Sequence, residues 1–378
     1  MTACVYLHRA LPAWRAPSDQ ARPAVIGVLT GEGVGSEIIP VALALLAQLM
    51  ANTSRRFELR CGGDIGRAAL AVHGASLTCE VVDFCQGIFD DGGAILCGPG
   101  GERFVYELRA RFDLFCKFTP IKPTAALRDT GVLRPAALEG VDIVAVRENV
   151  GGLYFGEWGQ RPSASGGTTA YHHFAYDEKD VERILRVALN LAQQRRGRLC
   201  VTVKPGGVPA ISALWEKKAK QLAQSQDVRV DVMEIDNAVY QLVANAQQFD
   251  VVVSPNMFGD VLADCGALLL GSRGMSFSGN FSAEGYAVYQ TGHGAAHDIA
   301  GSDVANPIGQ IYSLAMLLRE SFAWPEAAQA LETAVANTLG QGYRTRDIAT
   351  ADSRIVGTAE LGRRIGAALA EQLDGVIL

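Results

Sequence analysis

Two aspartates four residues apart, Asp260 and Asp264, close the stretch Phe249-Asp-Val-Val-Val-Ser-Pro-Asn-Met-Phe-Gly-Asp-Val-Leu-Ala-Asp264. A β-branched run feeds a polar turn (Ser254, Pro255, Asn256), and the residues after it read as a helix. On a helix, that spacing puts both carboxylates on one face. Like charges so placed repel, and a cation between them relieves the repulsion. Asp236, in Glu234-Ile-Asp-Asn237 at the end of another β-like run, is a natural third ligand. Three carboxylates with open positions suit Mg²⁺ or Mn²⁺, hard ions that take oxygen ligands and keep some water. The plainer alternative makes Asp260 a helix N-cap and Asp264 a solvated helix residue.

Such residues need a scaffold. The chain has 378 residues, 49% of them hydrophobic and 20% charged, which is globular composition and enough for two or three domains. Its formal charge of −6 leaves no basic surplus for nucleic-acid phosphates. No segment approaches the ~20 consecutive apolar residues of a membrane span. Residues 1–23 mix Arg and Pro with scattered apolar residues, so they read as a poorly ordered extension and not as a secretory signal. Eight cysteines without a CxxC pair suggest reduced thiols of a cytoplasmic protein.

Short β-like runs (Val25–Leu29, Gly93–Cys97, Val141–Val146, Leu199–Val203, Asp250–Val253) alternate with helical stretches (Glu37–Met50, Asp180–Arg195, Ala210–Gln224, Pro307–Leu318). That alternation predicts an α/β architecture. The Gly-, Ser- and Thr-rich stretch Trp158–Ala170 breaks the rhythm and reads as a projecting arm. His172 and His173 are adjacent, so on a strand they face opposite sides and do not form a metal pair.

Several motifs together resemble the β-decarboxylating dehydrogenases, the isocitrate and 3-isopropylmalate dehydrogenase family, and are closest in pattern to its isopropylmalate branch. They are Asn256-Met-Phe-Gly-Asp-Val-Leu-Ala-Asp264, Gly271-Ser-Arg-Gly274, His293-Gly-Ala-Ala-His-Asp-Ile-Ala-Gly301 and Ala305-Asn-Pro307. Upstream, Gly31-Glu-Gly-Val-Gly-Ser-Glu37, Leu108-Arg109, Val146-Arg147-Glu148, Gly151-Gly-Leu-Tyr-Phe-Gly156 and Val203-Lys204 follow the family's order and spacing. The resemblance implies oxidation of a 3-substituted malate by NAD, followed by loss of the carboxylate at C3. Hydride leaves C2 only as the hydroxyl proton departs, which calls for a base. The resemblance assigns this to Lys204, with a pKa lowered by burial and a nearby cation, and assigns proton delivery at C3 to Tyr154. It makes Asp236, Asp260 and Asp264 the metal ligands. Taken without the resemblance, Lys204 is a surface lysine and Tyr154 a packing aromatic.

Arg109 and Arg147 match two of the family's three carboxylate-binding arginines. The third position holds Thr119; Lys117, where the family usually has Asn, lies two residues earlier and on the same face of an extended strand. Lys117 is therefore expected to restore the missing positive charge. Val105 and Tyr106 stand at the C3-substituent position, where apolar residues favour an isopropyl-like group; Glu102 agrees with that branch, and Arg103 offers an anionic group a partner. His293 and Gly294 open the implied cofactor loop. Asp298 accepts from ribose hydroxyls and repels a 2′-phosphate, so Asp298 and Ile299 favour NAD over NADP, with Asn306 at the adenine. Gly31, Gly33 and Gly35 do not have the GxGxxG spacing of the usual dinucleotide fold. Glu32, Ser36, Arg273, Gln290 and His297 depart from the family pattern, and Gln290 removes a negative charge near the nicotinamide.

The expected fold is thus a two-domain, isopropylmalate dehydrogenase-like α/β fold. Residues 24–118 plus 271–378 would bind the cofactor; residues 119–270 would form a central substrate and dimerisation domain with an arm near 158–176. The resemblance implies a homodimer in which Lys204 and Asp236 reach the partner's site, a small hydroxy di- or tricarboxylate substrate, and no membrane or nucleic-acid partner. Two alternatives remain open: a non-catalytic regulatory subunit of a hetero-oligomer, which Thr119 and Gln290 favour, and a tartrate- or malate-type dehydrogenase without obligatory decarboxylation.

Overall fold

The computed structural model describes residues 7–12 and 24–373. Its strands are β1 (Ala24–Leu29), β2 (Phe57–Cys61), β3 (Ala94–Cys97), β4 (Cys116–Ile121), β5 (Ile143–Glu148), β6 (Glu157–Pro162), β7 (Thr168–His173), β8 (Arg198–Val203), β9 (Arg229–Glu234), β10 (Val251–Ser254), β11 (Phe277–Phe281) and β12 (Ala287–Thr291). Its helices are α1 (Gly35–Ala51), α2 (Gly66–His73), α3 (Cys79–Asp90), α4 (Phe104–Arg111), α5 (Glu178–Gln194), α6 (Pro209–Ala223), α7 (Ile235–Ala244), α8 (Asn256–Gly266), α9 (Ile308–Glu320), α10 (Pro325–Gly340) and α11 (Thr358–Leu373). The strands and helices read from hydrophobic spacing are present, with ends shifted by one or two residues.

All but β6 and β7 of these strands join one 10-stranded sheet of order β2-β1-β3-β12-β11-β4-β5-β10-β8-β9. β2, β1, β3 and β12 are mutually parallel, as are β5, β10, β8 and β9. Antiparallel pairings of β11 and β4 between them reverse the direction. Central strands such as β3 and β5 are buried throughout, as sheets covered by helices on both faces require. α9 is apolar nearly all round and lies wholly inside. The expected domain boundary between 118 and 119 falls within β4, and the one sheet runs through both segments.

The predicted arm is the antiparallel hairpin β6–β7, closed through Ser163–Gly167 and largely exposed. Along β7, His172 packs against Trp158 and His173 against Tyr171. Among the described residues every cysteine is unpaired, and no helix is long and apolar enough to cross a membrane.

The loose leader expected over residues 1–23 needs correction where it is described. Leu7–Ala10 form a 3₁₀ turn, and Leu7, Ala10 and Leu11 are buried in the main core. Their i, i+3, i+4 spacing supplies one apolar face, which seats against α5. Asn190 of α5 donates to the Ala10 carbonyl at 3.1 Å. The His8 backbone amide and ring Nδ1 both meet the buried Glu320 carboxylate at the end of α9, at 3.0 and 2.8 Å. Residues 1–6 and 13–23 lie outside the described residues. Replacing His8 by Ala removes the imidazole from a buried carboxylate, a loss of about 1–3 kcal/mol. The thermal midpoint should fall by a few degrees; an unchanged midpoint would show that this segment adds nothing to stability.

Candidate active site

The chemistry-bearing residues gather where parallel strands end. Arg147 is the penultimate residue of β5, Lys204 follows β8, Asp236 lies two residues beyond β9, and Asp260 and Asp264 sit on α8 after β10. The carboxyl ends of parallel strands are where open α/β sheets expose loops and helix starts to ligands.

Arg147, buried at 4% exposure, donates from Nε to Asn256 Oδ1 at 2.9 Å and pairs through NH1 with Asp260. The other Asp260 oxygen accepts the Tyr154 hydroxyl at 3.0 Å. Burial raises the Asp260 pKa, but the Arg147 charge and then Lys117 outweigh it and hold the carboxyl below its usual range. Tyr154 lies in a 3₁₀ turn, Gly152–Phe155. Burial, then the Asp260 charge, push its phenol upward, so it stays protonated and able to donate.

Two more cations face this pair. Arg109, in the last turn of α4, is 4% exposed and its Nε has no hydrogen-bond partner among the described residues. Lys117 stands opposite Arg147 in the β4–β5 register, is 7% exposed, and has no ion pair or hydrogen bond among the described residues. Burial, then Arg109 and Arg147, drive the Lys117 amine well below its ordinary pKa. Unpaired buried donors are costly, and carboxylates are the acceptors these groups lack. Thr119 is buried opposite Ala145 and brings no charge.

The ring of Tyr106 lies 5.2 Å from that of Tyr154, between the guanidinium groups of Arg103 (5.4 Å) and Arg109 (5.8 Å). Arg103 also stacks on Trp158 of the arm at 4.6 Å and donates to the Tyr154 carbonyl. Val105 is half-buried and packs against the core cluster containing Leu108 and Phe112.

One chain does not bring all the expected metal ligands together. Among the described residues, no group of three or more acidic, His or Cys side chains is placed to hold a metal ion. Asp264 pairs with Arg273 at 2.8 Å. Asp236 pairs with Lys204 Nζ at 2.9 Å, and Glu234 meets the same amine at 2.8 Å. The expected depression of the Lys204 pKa is also corrected within a single chain. This exposed amine hydrogen-bonds first Glu234, then Asp236, and its pKa is raised.

The implied cofactor loop is held by the glycine turn after β1. Val34 donates its amide to the Ala295 carbonyl at 2.8 Å. Gly33 adopts φ +58°, and a Cβ there would collide with that carbonyl, so this position requires glycine. Glu37 accepts the amides of Gly301 (2.8 Å) and Asp303 (2.9 Å). Asp298 and Ile299 are exposed on this loop, and His293 Nδ1 contacts the Gly294 carbonyl. Burial, first of all, lowers the His293 pKa. Asn306 is nearly buried; its amide donates to Asp347 and its oxygen accepts the Ile308 amide at the start of α9.

Three groups that sequence reasoning did not assign to the site hold it in place: Glu148, Asn256 and Tyr176. Glu148, the last residue of β5, is fully buried and accepts the amides of Val150 and Gly151 at 2.9 and 3.0 Å. Burial pushes its carboxyl up to about 7. Its signal was a charged residue ending an apolar strand; Tyr176 carries no comparable local signal.

The family model described as isocitrate/isopropylmalate dehydrogenase matches residues 25–365. A 3-isopropylmalate dehydrogenase of Gloeobacter violaceus is 40% identical over 361 residues, covering 91% of this chain and 97% of that relative. One of Synechococcus sp. (strain JA-3-3Ab) is 39% identical over 370 residues, covering 94% and 96%. The crystal structure of isocitrate dehydrogenase from Methylococcus capsulatus superposes with a TM-score of 0.81 at 27% identity, covering 92% of this chain and 99% of that one.

Glu37→Ala removes the acceptor for both Gly301 and Asp303. Hydrogen exchange at those two amides should accelerate at least several-fold while β1 stays protected. Unchanged exchange would mean that the loop is held by other contacts.

Proposed function

The chain belongs to the isocitrate/isopropylmalate dehydrogenase family, and from that premise we propose that it oxidises and decarboxylates a 3-substituted malate, using NAD and Mg²⁺ or Mn²⁺. The observation that carries this reading is the hydrogen-bonded grouping of buried Arg147 with the half-buried Asp260 and Tyr154, beside Arg109 and Lys117, neither of which has an ion pair among the described residues. Three cations around one carboxylate suit a multiply anionic substrate. A phenol kept protonated suits proton delivery to carbon.

In this reading Arg109 and Arg147 grip substrate carboxylates, with Lys117 in place of the arginine missing at Thr119. Tyr106 and Val105 border the C3 substituent, and Tyr154 delivers the proton that replaces the lost carboxylate. The donor chemistry of Asp260 and Asp264, four apart on α8, fits a hard divalent ion. Asp236 from a second copy would complete that ligand set. Held by these residues, the ion would supply Lewis-acid stabilisation of developing negative charge and NAD would supply hydride-accepting chemistry. Lys204 of the second copy removes the C2 hydroxyl proton. In one chain this amine is ion-paired, so its activation depends on the surroundings that dimer formation creates. The active unit is accordingly a homodimer with shared sites, and free thiols suit a cytoplasmic setting. Asp298 sets the preference for NAD, with His293, Gly294, Ile299 and Asn306 around the adenosine. Residues 24–118 plus 271–378 serve the cofactor and 119–270 the substrate and the dimer.

The test is NADH formation and carbon dioxide release by the purified chain alone, with Mn²⁺ and NAD, over malate, tartrate, isocitrate, homoisocitrate, 3-methylmalate and isopropylmalate. Inactivity on all of them would favour the regulatory-subunit alternative; NADH without carbon dioxide would favour the tartrate type. Lys204→Met should lower kcat by at least about 10²–10⁴-fold, the usual worth of a positioned base, with NAD binding retained. Near-normal turnover would remove Lys204 from the mechanism. Lys117→Ala should raise the hydroxy acid's KM about tenfold or more, as loss of a charged hydrogen bond does; an unchanged KM would exclude the substitution of lysine for the missing arginine.

A further inference from the structure

The proton donor and the acidic helix belong to different segments of the chain. Tyr154 sits in the turn after β5, while Asp260 and Asp264 sit on α8 after β10, about a hundred residues later. Their relation must be held to within a fraction of an ångström for a phenol to work beside a carboxylate. One buried carboxylate links the two segments. Resting on the proposed role of Tyr154, we propose that Glu148 is a positioning residue: through two backbone amides it fixes the turn carrying Tyr154, and through Gly151, whose carbonyl holds Asn256, it locks that turn to the helix carrying Asp260 and Asp264.

The links can be followed atom by atom. Glu148 Oε1 accepts the Val150 amide and Oε2 the Gly151 amide, which fixes the three residues entering the Tyr154 turn. The Tyr176 hydroxyl accepts the Asn256 amide at 2.8 Å, at the first residue of α8. The Asn256 side chain returns the connection, donating to the Gly151 carbonyl at 2.9 Å while accepting from Arg147 Nε. Gly152 adopts φ +70°, and a Cβ there would strike the Tyr176 hydroxyl, so the turn is shaped to admit that phenol. An ionised carboxylate is an acceptor only, so both of its donors, the Val150 and Gly151 amides, find a partner. Around it stand Arg183 and Asp180 of α5, with Cys116 opposite in the β4 register.

A residue that merely finished β5 would affect stability and leave the catalytic split alone. A positioning role makes narrower demands. Glu148→Gln keeps the shape but puts an NH₂ where an acceptor is needed, facing an amide. Tyr176→Phe removes the acceptor of the Asn256 amide at the same junction and leaves the two Glu148 bonds in place, so it serves if the glutamine variant folds poorly. In either variant kcat for the hydroxy acid should fall about 10- to 100-fold, with both KM values within about twofold, and the double variant should lose less than the product of the two.

Hydrogen exchange at pH 8, with the carboxyl ionised, supplies a readout independent of turnover. In Glu148→Gln, exchange should quicken both at Val150–Gly151 and at Asn256, while the centre of β10 stays protected. Quickening at Val150–Gly151 with Asn256 unchanged would overturn the link to α8. So would an unchanged kcat in both variants, or a kcat loss matched by an equal rise in KM. If the wild-type chain turned over no hydroxy acid, the functional reading would fail, and the exchange experiment would still decide whether the link exists.

Discussion

The arrangement turns on the pairing of Arg147 with Asp260. A guanidinium almost fully withdrawn from water gains most from a carboxylate placed against it, and Asp260, about one-third exposed, supplies one to Arg147. The pair therefore forces β5 and α8 together, since each carries one half. Asp260 has its second oxygen committed to Tyr154, and Arg147 has its Nε committed to Asn256. The two side chains thus define a rigid junction from which the turn, the strand and the helix all take their positions.

The electrostatic balance at that junction is uneven in an informative direction. Arg109, Arg147 and Lys117 converge on a region where Asp260 is the carboxylate that pairs with one of them, with Asp264 a further anion facing Lys117. Burial and mutual repulsion both work against these charges, and a protein with no use for them would lose nothing by replacing them with apolar residues. Retaining three cations where one carboxylate cannot satisfy them makes sense if a multiply charged anion arrives. The Lys204, Glu234 and Asp236 group is the reverse: exposed, anion-rich and internally paired. Surface pairs of that kind contribute little on their own.

Much of this was legible in the sequence because it is local. β-branched runs and helical spacing located β1, β3, β5, β8 and β10 and helices α1, α5, α6 and α9, since burial on two faces or one stripe leaves a periodic trace. The glycine turn was visible as Gly31 and Gly33, although what it packs against, the Ala295 carbonyl, is remote in sequence. The failures were non-local. The state of Lys204 depends on Glu234 and Asp236, thirty residues away and brought near by β8–β9 pairing. The leader seemed featureless because its apolar face spans only five residues, and its anchor, Glu320, lies at the far end of α9. Tyr176 gave no sign of its role, because its hydrogen-bond partner, Asn256 at the start of α8, is remote in sequence.

The exchange at positions 117 and 119 shows how a site can keep its charge and change its geometry. An arginine binds a carboxylate as a fixed planar fork, whereas a lysine presents a point charge on a flexible stem. β4 holds Lys117 and Thr119 on the same face, but Lys117 lies nearer the end that pairs with Arg147 and Glu148. The positive centre therefore moves toward the Arg147–Asp260 junction, and Thr119 leaves room where a guanidinium would have stood. Burial among two guanidinium groups also makes the amine costly to protonate until an anion is present. If Lys117 meets a substrate carboxylate as proposed, charge on the amine is coupled to arrival of the acid, and the carboxylate's orientation is held less tightly than by a guanidinium fork.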